Sequence, residues 1–399
     1  MDPDRHDARH LARHYSRFRV GDRILLTGHS HQAWPDVAFD AHVQAWHDAA
    51  ELVDGKWDVA LAVADEVRGG YRQLLDDPDG HIALGQNTHE LVTRYLSALP
   101  LRERPRLVTT DGEFHTVRRQ LMRLQEEGLE VVRVGATGAG TDAPGAIAQA
   151  VVDALDDRTA AVLMSSVLYR NGLIVDGLHD VARACDHLGA SLLVDAYHSI
   201  NAVPFSVTDM GLEQAFVVGG GYKYCQFGEG VCFLRIPADC SMRPILTGWF
   251  SEFEDLGEAS GDDRVAYGDG PLRFAGSTYD PVGHYRARSV LRFFRSMGLH
   301  AARLRRISQA QLTRLATGID ALDLDPTVLT WKRDLPLERR GGFLALDAPR
   351  AADLSASLRR SGVFADHRGP VLRIGPAPYV TDAQLDEAVG LIGESAKLA

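Results

Sequence analysis

Two short blocks hold the residues best suited to chemistry. In ASLLVDAYHS, Asp195 stands where an apolar strand gives way to a polar loop, the position from which open α/β sheets present ligand-binding groups. An Asp there can equally cap a helix or orient the loop. In GGGYKYCQFGEG, Lys223 follows another apolar stretch and is surrounded by small and aromatic residues. A lysine presented over a pocket can form an imine with an aldehyde cofactor, whereas an exposed one is simply solvated. Pyridoxal phosphate would use both residues at opposite ends. Lys223 would hold its aldehyde as a Schiff base, and Asp195 would keep its pyridine nitrogen protonated, making the ring a stronger electron sink. His198, three residues beyond Asp195, can contact the phenolic oxygen or ring of such a cofactor, or make a structural hydrogen bond.

A phosphate cradle is expected in GQNTHELVTRYLSALP. Asn87 and Thr88 sit at a helix start, with Glu90 three residues after Asn87 as in a capping box, and Gly85 permits the preceding turn. Capping and anion binding are compatible there, because helix-start amides attract a dianion.

The elements that must position these residues follow an α/β rhythm. Strands are expected at Arg106 to Thr109, Glu130 to Val134, Ala160 to Ser165, Ala190 to Asp195 and Gln214 to Gly219, with DGLHDVARACDHLGA as a crossover helix. Several strands are apolar enough to be buried on both faces, as in a mostly parallel sheet. Helical periodicity covers residues 36 to 75. RARSVLRFFRSMGLHAARLRRISQAQLTRLATGIDAL reads as two helices after a Gly- and aromatic-rich stretch from Gly248 to Tyr285. GGFLALDAP and VLRIGPAPYV read as strands of a smaller α+β unit. The expected division is an amino-terminal arm over 1–57, a large α/β domain over 58–275 and a small carboxyl-terminal domain over 276–399.

The composition suits such a fold. Of the 399 residues, 45% are hydrophobic and 24% charged, which argues against disorder. With 43 Lys and Arg against 54 Asp and Glu, the net charge of −11 disfavours nucleic acid as a partner while allowing local anion pockets. Cys185, Cys225, Cys232 and Cys240 show neither a disulfide framework nor a metal spacing. No apolar signal core or membrane-length stretch stands out, so no membrane partner and a cytoplasmic location are expected.

Taken in order, DAYHS, GYKYCQFGEG, LTGWF and DHRGPVLRIGPAPYV resemble the kynureninase branch of the class V, fold-type I pyridoxal-phosphate enzymes, with TGHSHQAWP a looser match to that family's amino-terminal substrate-side turn. The resemblance spans most of the chain. It implies a pyridoxal 5'-phosphate cofactor, a fold-type I transferase fold and a homodimer with shared active sites. It makes Lys223 the Schiff-base lysine and the agent of proton transfer at the substrate Cα, Asp195 the pyridine-nitrogen partner, and His198 a neighbour of the phenolic oxygen. Tyr222 and Trp249 become phosphate ligands, and Phe114 the ring stacked on the cofactor. Ser277 and Thr278 match a loop that reaches the phosphate of the neighbouring subunit's site. Arg373 matches the arginine that grips the substrate carboxylate, for which its fork suits bidentate binding.

The implied reaction is hydrolysis of the Cβ–Cγ bond of kynurenine or a related β-acyl α-amino acid. The substrate side departs from the family pattern. Gly28, His29, Ser30, His31 and Gln32 stand where the family has GNSLG, the ring-contacting histidine aligns near Val92, and AGSTYDP carries an extra residue. His29 and His31 are therefore candidate substrate contacts, expected to converge from alternate positions of the turn, with ordinary loop bonding as the other reading. A class V aminotransferase, a C–S lyase and a non-catalytic cofactor-binding protein are the alternatives. A cysteine desulfurase is disfavoured because no cysteine follows Cys240.

Overall fold

The computed structural model describes residues 7–138, 140–255 and 264–398; part of the Gly- and aromatic-rich stretch, residues 256–263, lies outside them. The strands are β1 Ile24–Leu25, β2 His81–Gly85, β3 Arg106–Thr110, β4 Glu130–Val134, β5 Thr159–Ser165, β6 Ser191–Asp195, β7 Phe216–Gly220, β8 Cys232–Ile236, β9 Leu344–Asp347, β10 Val363–Phe364, β11 Asp366–Arg368 and β12 Val371–Ile374. Seven of them form one sheet in the order β2-β8-β7-β6-β5-β3-β4. Only β8 opposes its neighbours; β7, β6, β5, β3 and β4 pair in parallel. This is the mostly parallel α/β fold expected from the alternation of apolar runs and crossover helices.

The central strand explains the arrangement. Every residue of β5 is buried, so both faces of the sheet must be covered. Helices Thr88–Ala98, His115–Glu126, Ala146–Asp153 and Leu178–Leu188 supply that cover between successive strands. Because β2, β3, β5, β6 and β7 point the same way and β8 enters in reverse, their loops gather at one edge.

The helical periodicity over 36 to 75 belongs to two helices, Val37–Leu52 and Lys56–Leu75. Val53, at φ 55°, and the glycine at 55 break the run. Helix Val282–Ser296 packs on both, and helix Ala301–Ala321 packs on Asp382–Leu398 behind the small antiparallel sheet β11-β12-β9. The amino end joins that small sheet's neighbourhood through the parallel pair β1 and β10. Among the described residues no helix is long and apolar enough to cross a membrane.

A buried ion pair ties the helical layer to the large sheet. Arg235 on β8 donates to Asp77, just past helix Lys56–Leu75, at 2.7 Å and to the carbonyls of Glu213 and Ala215 at 2.6 and 2.9 Å. Its side chain is 5% exposed. Asp77→Ala would leave that guanidinium enclosed without its counter-charge, an expected loss of about 3–5 kcal/mol by equilibrium urea unfolding; a loss below about 1 kcal/mol would contradict the assignment.

Candidate active site

The loops at the shared sheet edge enclose a cavity of about 210 Å³. Gln86, Asn87 and Thr88 reach it from the end of β2, and Phe114 from the turn after β3. Ser165 reaches it from the end of β5, and Val167 and Tyr169 from the loop that follows. Asp195, Tyr197 and His198 follow β6, and Tyr222 and Lys223 follow β7. Seven residues singled out from sequence therefore share one cavity: Asn87, Thr88, Phe114, Asp195, His198, Tyr222 and Lys223.

Lys223 is buried, and its Nζ lies 2.9 Å from Nε2 of His198. The rings of Tyr197, Phe114 and Tyr222 surround it at 4.5, 5.5 and 5.7 Å from Nζ to the ring centres. Burial pulls the amine's pKa from 10.5 down to about 7; Asp195 opposes this and Arg373 adds to it. A large neutral fraction is thus present near neutral pH, where an exposed lysine is an ammonium. Burial, reinforced by the charges of Lys223 and Arg373, holds His198 well below the ordinary histidine range, so it is neutral.

The glycine run before Lys223 has a steric cause. A Cβ on Gly220 would fall 2.4 Å from the Tyr197 hydroxyl and 2.5 Å from Cys232 Sγ, so only glycine lets that ring lie against the lysine loop.

Asp195 sits at the last position of β6 and accepts the Tyr197 N–H through Oδ1 at 2.9 Å, leaving Oδ2 for the cavity. Burial raises its pKa against the effects of Tyr197 and Lys223. Asn87 caps helix Thr88–Ala98 by accepting the Glu90 N–H at 2.9 Å and donating to the Glu90 carboxylate at 3.0 Å. Asn87 is thus the helix N-cap, with Glu90 accepting from its side-chain amide and not from its backbone N–H as in a full capping box, and Thr88 beside it faces the cavity.

Other candidates are placed differently. His29 and His31 do not converge. The turn that carries them docks on the end of β12, with Gly28 N–H bonded to Gly375 O at 2.7 Å and Gly375 N–H to Leu26 O at 2.8 Å. That docking turns His29 inward, fully buried, while His31 stays exposed with its ring 5.4 Å from Tyr222. His29 Nε2 lies 2.8 Å from Asp366, and Arg373 binds the same carboxylate through Nε at 2.9 Å and Nη2 at 2.5 Å. Arg373 also donates to the Tyr169 carbonyl at 2.5 Å. Burial holds the His29 pKa down at about 4, so it donates Nε2–H as a neutral ring. Burial pushes Asp366 up, but His29 and Arg373 outweigh it and keep the carboxyl well below its ordinary range.

Trp249, Ser277 and Thr278 lie outside this chain's cavity; Trp249 is 44% exposed and the other two are exposed. Val92, on helix Thr88–Ala98, is buried in the hydrophobic core. Sequence reasoning did not single out Tyr169, Tyr197, Glu113 or Asp366. Tyr197 lay inside DAYHS, and the Gly-Pro turn in DHRGPVLR could have signalled Asp366, which pairs across the hairpin with Arg373.

A buried lysine at a parallel-sheet edge, an aspartate opposite it and a capped helix start define a fold-type I pyridoxal-phosphate enzyme. The chain belongs to the aminotransferase class-V family, whose model matches residues 65–329, and it is a kynureninase-like member: the kynureninase C-terminal domain model matches residues 305–392. A kynureninase of Bacillus cereus is 28% identical over 252 residues, covering 61% of this chain and 56% of that protein. The chain therefore matches little more than half the length of that relative. An uncharacterized aminotransferase, YcbU, of Bacillus subtilis is 21% identical over 87% of this chain and 88% of its own. Among solved structures, C-DES with glycine covalently linked to the PLP cofactor superposes with a TM-score of 0.81 at 15% identity over 96% of this chain and 98% of that one. The apo cysteine desulfurase of Thermococcus onnurineus NA1 gives 0.78 at 17% identity over 95% and 96%.

The cofactor is pyridoxal 5'-phosphate, and the residues present fit it. The cavity offers a desolvated primary amine, an enclosed carboxylate with one oxygen turned inward, aromatic walls, and a helix start for an anion.

The Asp366 cluster yields a direct test. Asp366→Ala would strip the counter-charge from Arg373, itself 3% exposed, and is expected to cost about 3–5 kcal/mol in urea unfolding. His29→Leu, which keeps most of the buried volume beside Phe343 but removes one hydrogen bond to that carboxylate, is expected to cost about 1 kcal/mol. Equal costs for the two would contradict the hierarchy.

Proposed function

We propose that this protein is a pyridoxal-phosphate-dependent hydrolase of the kynureninase type, cleaving the Cβ–Cγ bond of kynurenine or a related β-acyl α-amino acid. One observation carries the reading. The kynureninase C-terminal domain match contains the Asp366–Arg373 pair, and Arg373 bonds the carbonyl of Tyr169 on the wall of the cavity that holds Lys223. The cofactor, when bound, supplies the electron sink for charge developing at the substrate Cα.

The chain's own residues have distinct tasks in this reading. Lys223 holds the cofactor and, with its lowered proton affinity, takes and returns the proton at Cα. Neutral His198 at 2.9 Å orients that amine. Asp195 turns its free oxygen to the pyridine nitrogen, Phe114 stacks on the ring, and Asn87, Thr88 and Tyr222 hold the phosphate. Arg373 takes the substrate carboxylate with the N–H groups that Asp366 and Tyr169 leave over. His31, exposed beside Tyr222, is the substrate-side histidine, whereas His29 acts through Asp366. Water delivered to the γ-carbonyl completes the cleavage, releasing alanine and an acid. The buried Val92 favours a β-acyl side chain other than that of kynurenine itself.

A homodimer belongs to the same reading. Trp249 lies beside the exposed Ile245 and Leu246, and a Cβ on Gly248 would fall 2.7 Å from Ser277 Oγ. This apolar, outward-facing stretch suits a second copy of the chain, bringing Trp249, Ser277 and Thr278 to that copy's phosphate.

Reconstituted protein, incubated with kynurenine, 3-hydroxykynurenine and a broad amino-acid panel, is expected to release alanine plus an acid in equal amounts, and borohydride is expected to trap cofactor on Lys223. A keto acid formed only with an amino acceptor would instead identify an aminotransferase, and sulfide release a C–S lyase. Trapped cofactor with no turnover on any substrate would favour a non-catalytic binder.

A further inference from the structure

Glu113 is an enclosed carboxylate beside the cavity with no role in the chemistry above. It is 1% exposed, at the turn that follows β3. Its Oε1 accepts the Thr110 hydroxyl at 2.6 Å and the Ser165 N–H at 3.1 Å, and its Oε2 accepts the Ser165 hydroxyl at 2.6 Å. It therefore bridges the ends of the adjacent strands β3 and β5. Ser165 lines the cavity and stands opposite Asp195 in the β5–β6 register. The next residue, Phe114, presents its ring 5.5 Å from Lys223 Nζ.

Packing alone does not require a carboxylate there. Three donors converge on it, and among the described residues no cation pairs with it, an arrangement suited to holding an anion in a dry setting. Burial opposes this and pushes its pKa up to about 7; the Ser165 and Thr110 hydrogen bonds resist, and the charge of Asp195 adds to the rise. Among the described residues, the other titratable or charged groups facing this edge include Tyr169 after β5, Asp195 on β6, Tyr197 and His198 after it, Tyr222 and Lys223 after β7, Glu229 and Cys232 at the start of β8, and Asp366 and Arg373 from the small sheet.

We propose that Glu113 is a positioning residue of the cofactor site, fixing Ser165 and Phe114 in the wall facing Lys223 and backing Asp195 with a second buried carboxylate. The proposal rests on the cofactor site at Lys223 described above. A second carboxylate at that edge favours the protonated form of groups bound there, so it sets the pH range in which the site stays cationic.

The test compares wild type, Glu113→Gln and Glu113→Asp, each reconstituted with pyridoxal 5'-phosphate and checked for fold by circular dichroism. The readout is the pH midpoint of the visible absorbance band that depends on Lys223. Removing a nearby negative charge makes a protonated group a stronger acid. Glu113→Gln is therefore expected to lower the midpoint by about half a pH unit or more, and Glu113→Asp to restore most of that shift. An unchanged midpoint in folded Glu113→Gln overturns the proposal, as does an equal shift in both variants. If Glu113→Gln does not fold, Thr110→Val takes its place. Losing one donor makes the carboxylate harder to ionise, so a smaller shift in the same direction is expected, and no shift overturns the proposal. A wild type without any Lys223-dependent band would instead overturn the cofactor assignment.

Discussion

Removing the Lys223 amine from water is the constraint on which the rest of the site depends. An ammonium would be expensive in that enclosure, so the fold shifts the group toward its neutral form instead. The enclosure needs three aromatic rings from three separate loops, a neutral histidine within hydrogen-bond distance, and glycine at the preceding strand end so that Tyr197 can close in. These requirements are spread over the ends of β3, β6 and β7, and only a sheet whose strand ends share one edge can meet them together.

Two layers of buried charge hold this edge in place. Toward the large sheet, Asp195 and Glu113 supply carboxylates at the ends of β6 and β3, on either side of β5, tied through backbone and hydroxyl donors rather than cations. Toward the small sheet, the cross-strand pair of Asp366 and Arg373, with His29 bonded behind it, orients a guanidinium at the Tyr169 carbonyl. Arg373 lowers the proton affinity of Lys223 and His198 through space while Asp195 raises that of Lys223. The small sheet therefore contributes to the electrostatics of the lysine as well as to the position of Arg373.

Much of this was legible from the sequence because the decisive residues lie where an apolar run ends. Asp195 and Lys223 each follow a strand whose composition announces it, and Asn87 and Glu90 mark a helix start by spacing alone. Residues that work through long-range contacts were not legible. Glu113 is an unremarkable acid until β3 and β5 are known to be neighbours, and Tyr169 until the loop after β5 is seen to turn back over Phe114. How the His29 and His31 turn presents its two rings was not legible, because nothing local records that its backbone docks on Gly375, leaving one ring buried and the other exposed. Likewise β2 and β8 are short and contain ordinary residues, and their antiparallel pairing is a tertiary fact.

The central claim is that the fold, before any ligand arrives, desolvates the Lys223 amine. It is tested most directly by measuring how fast Lys223 in the cofactor-free protein reacts with a small amine-selective reagent as pH is raised, with the modified peptide quantified by mass spectrometry. The account predicts a reactivity midpoint near 7, far below the ordinary lysine value of 10.5. A midpoint close to that of the exposed lysines in the same digest would contradict it.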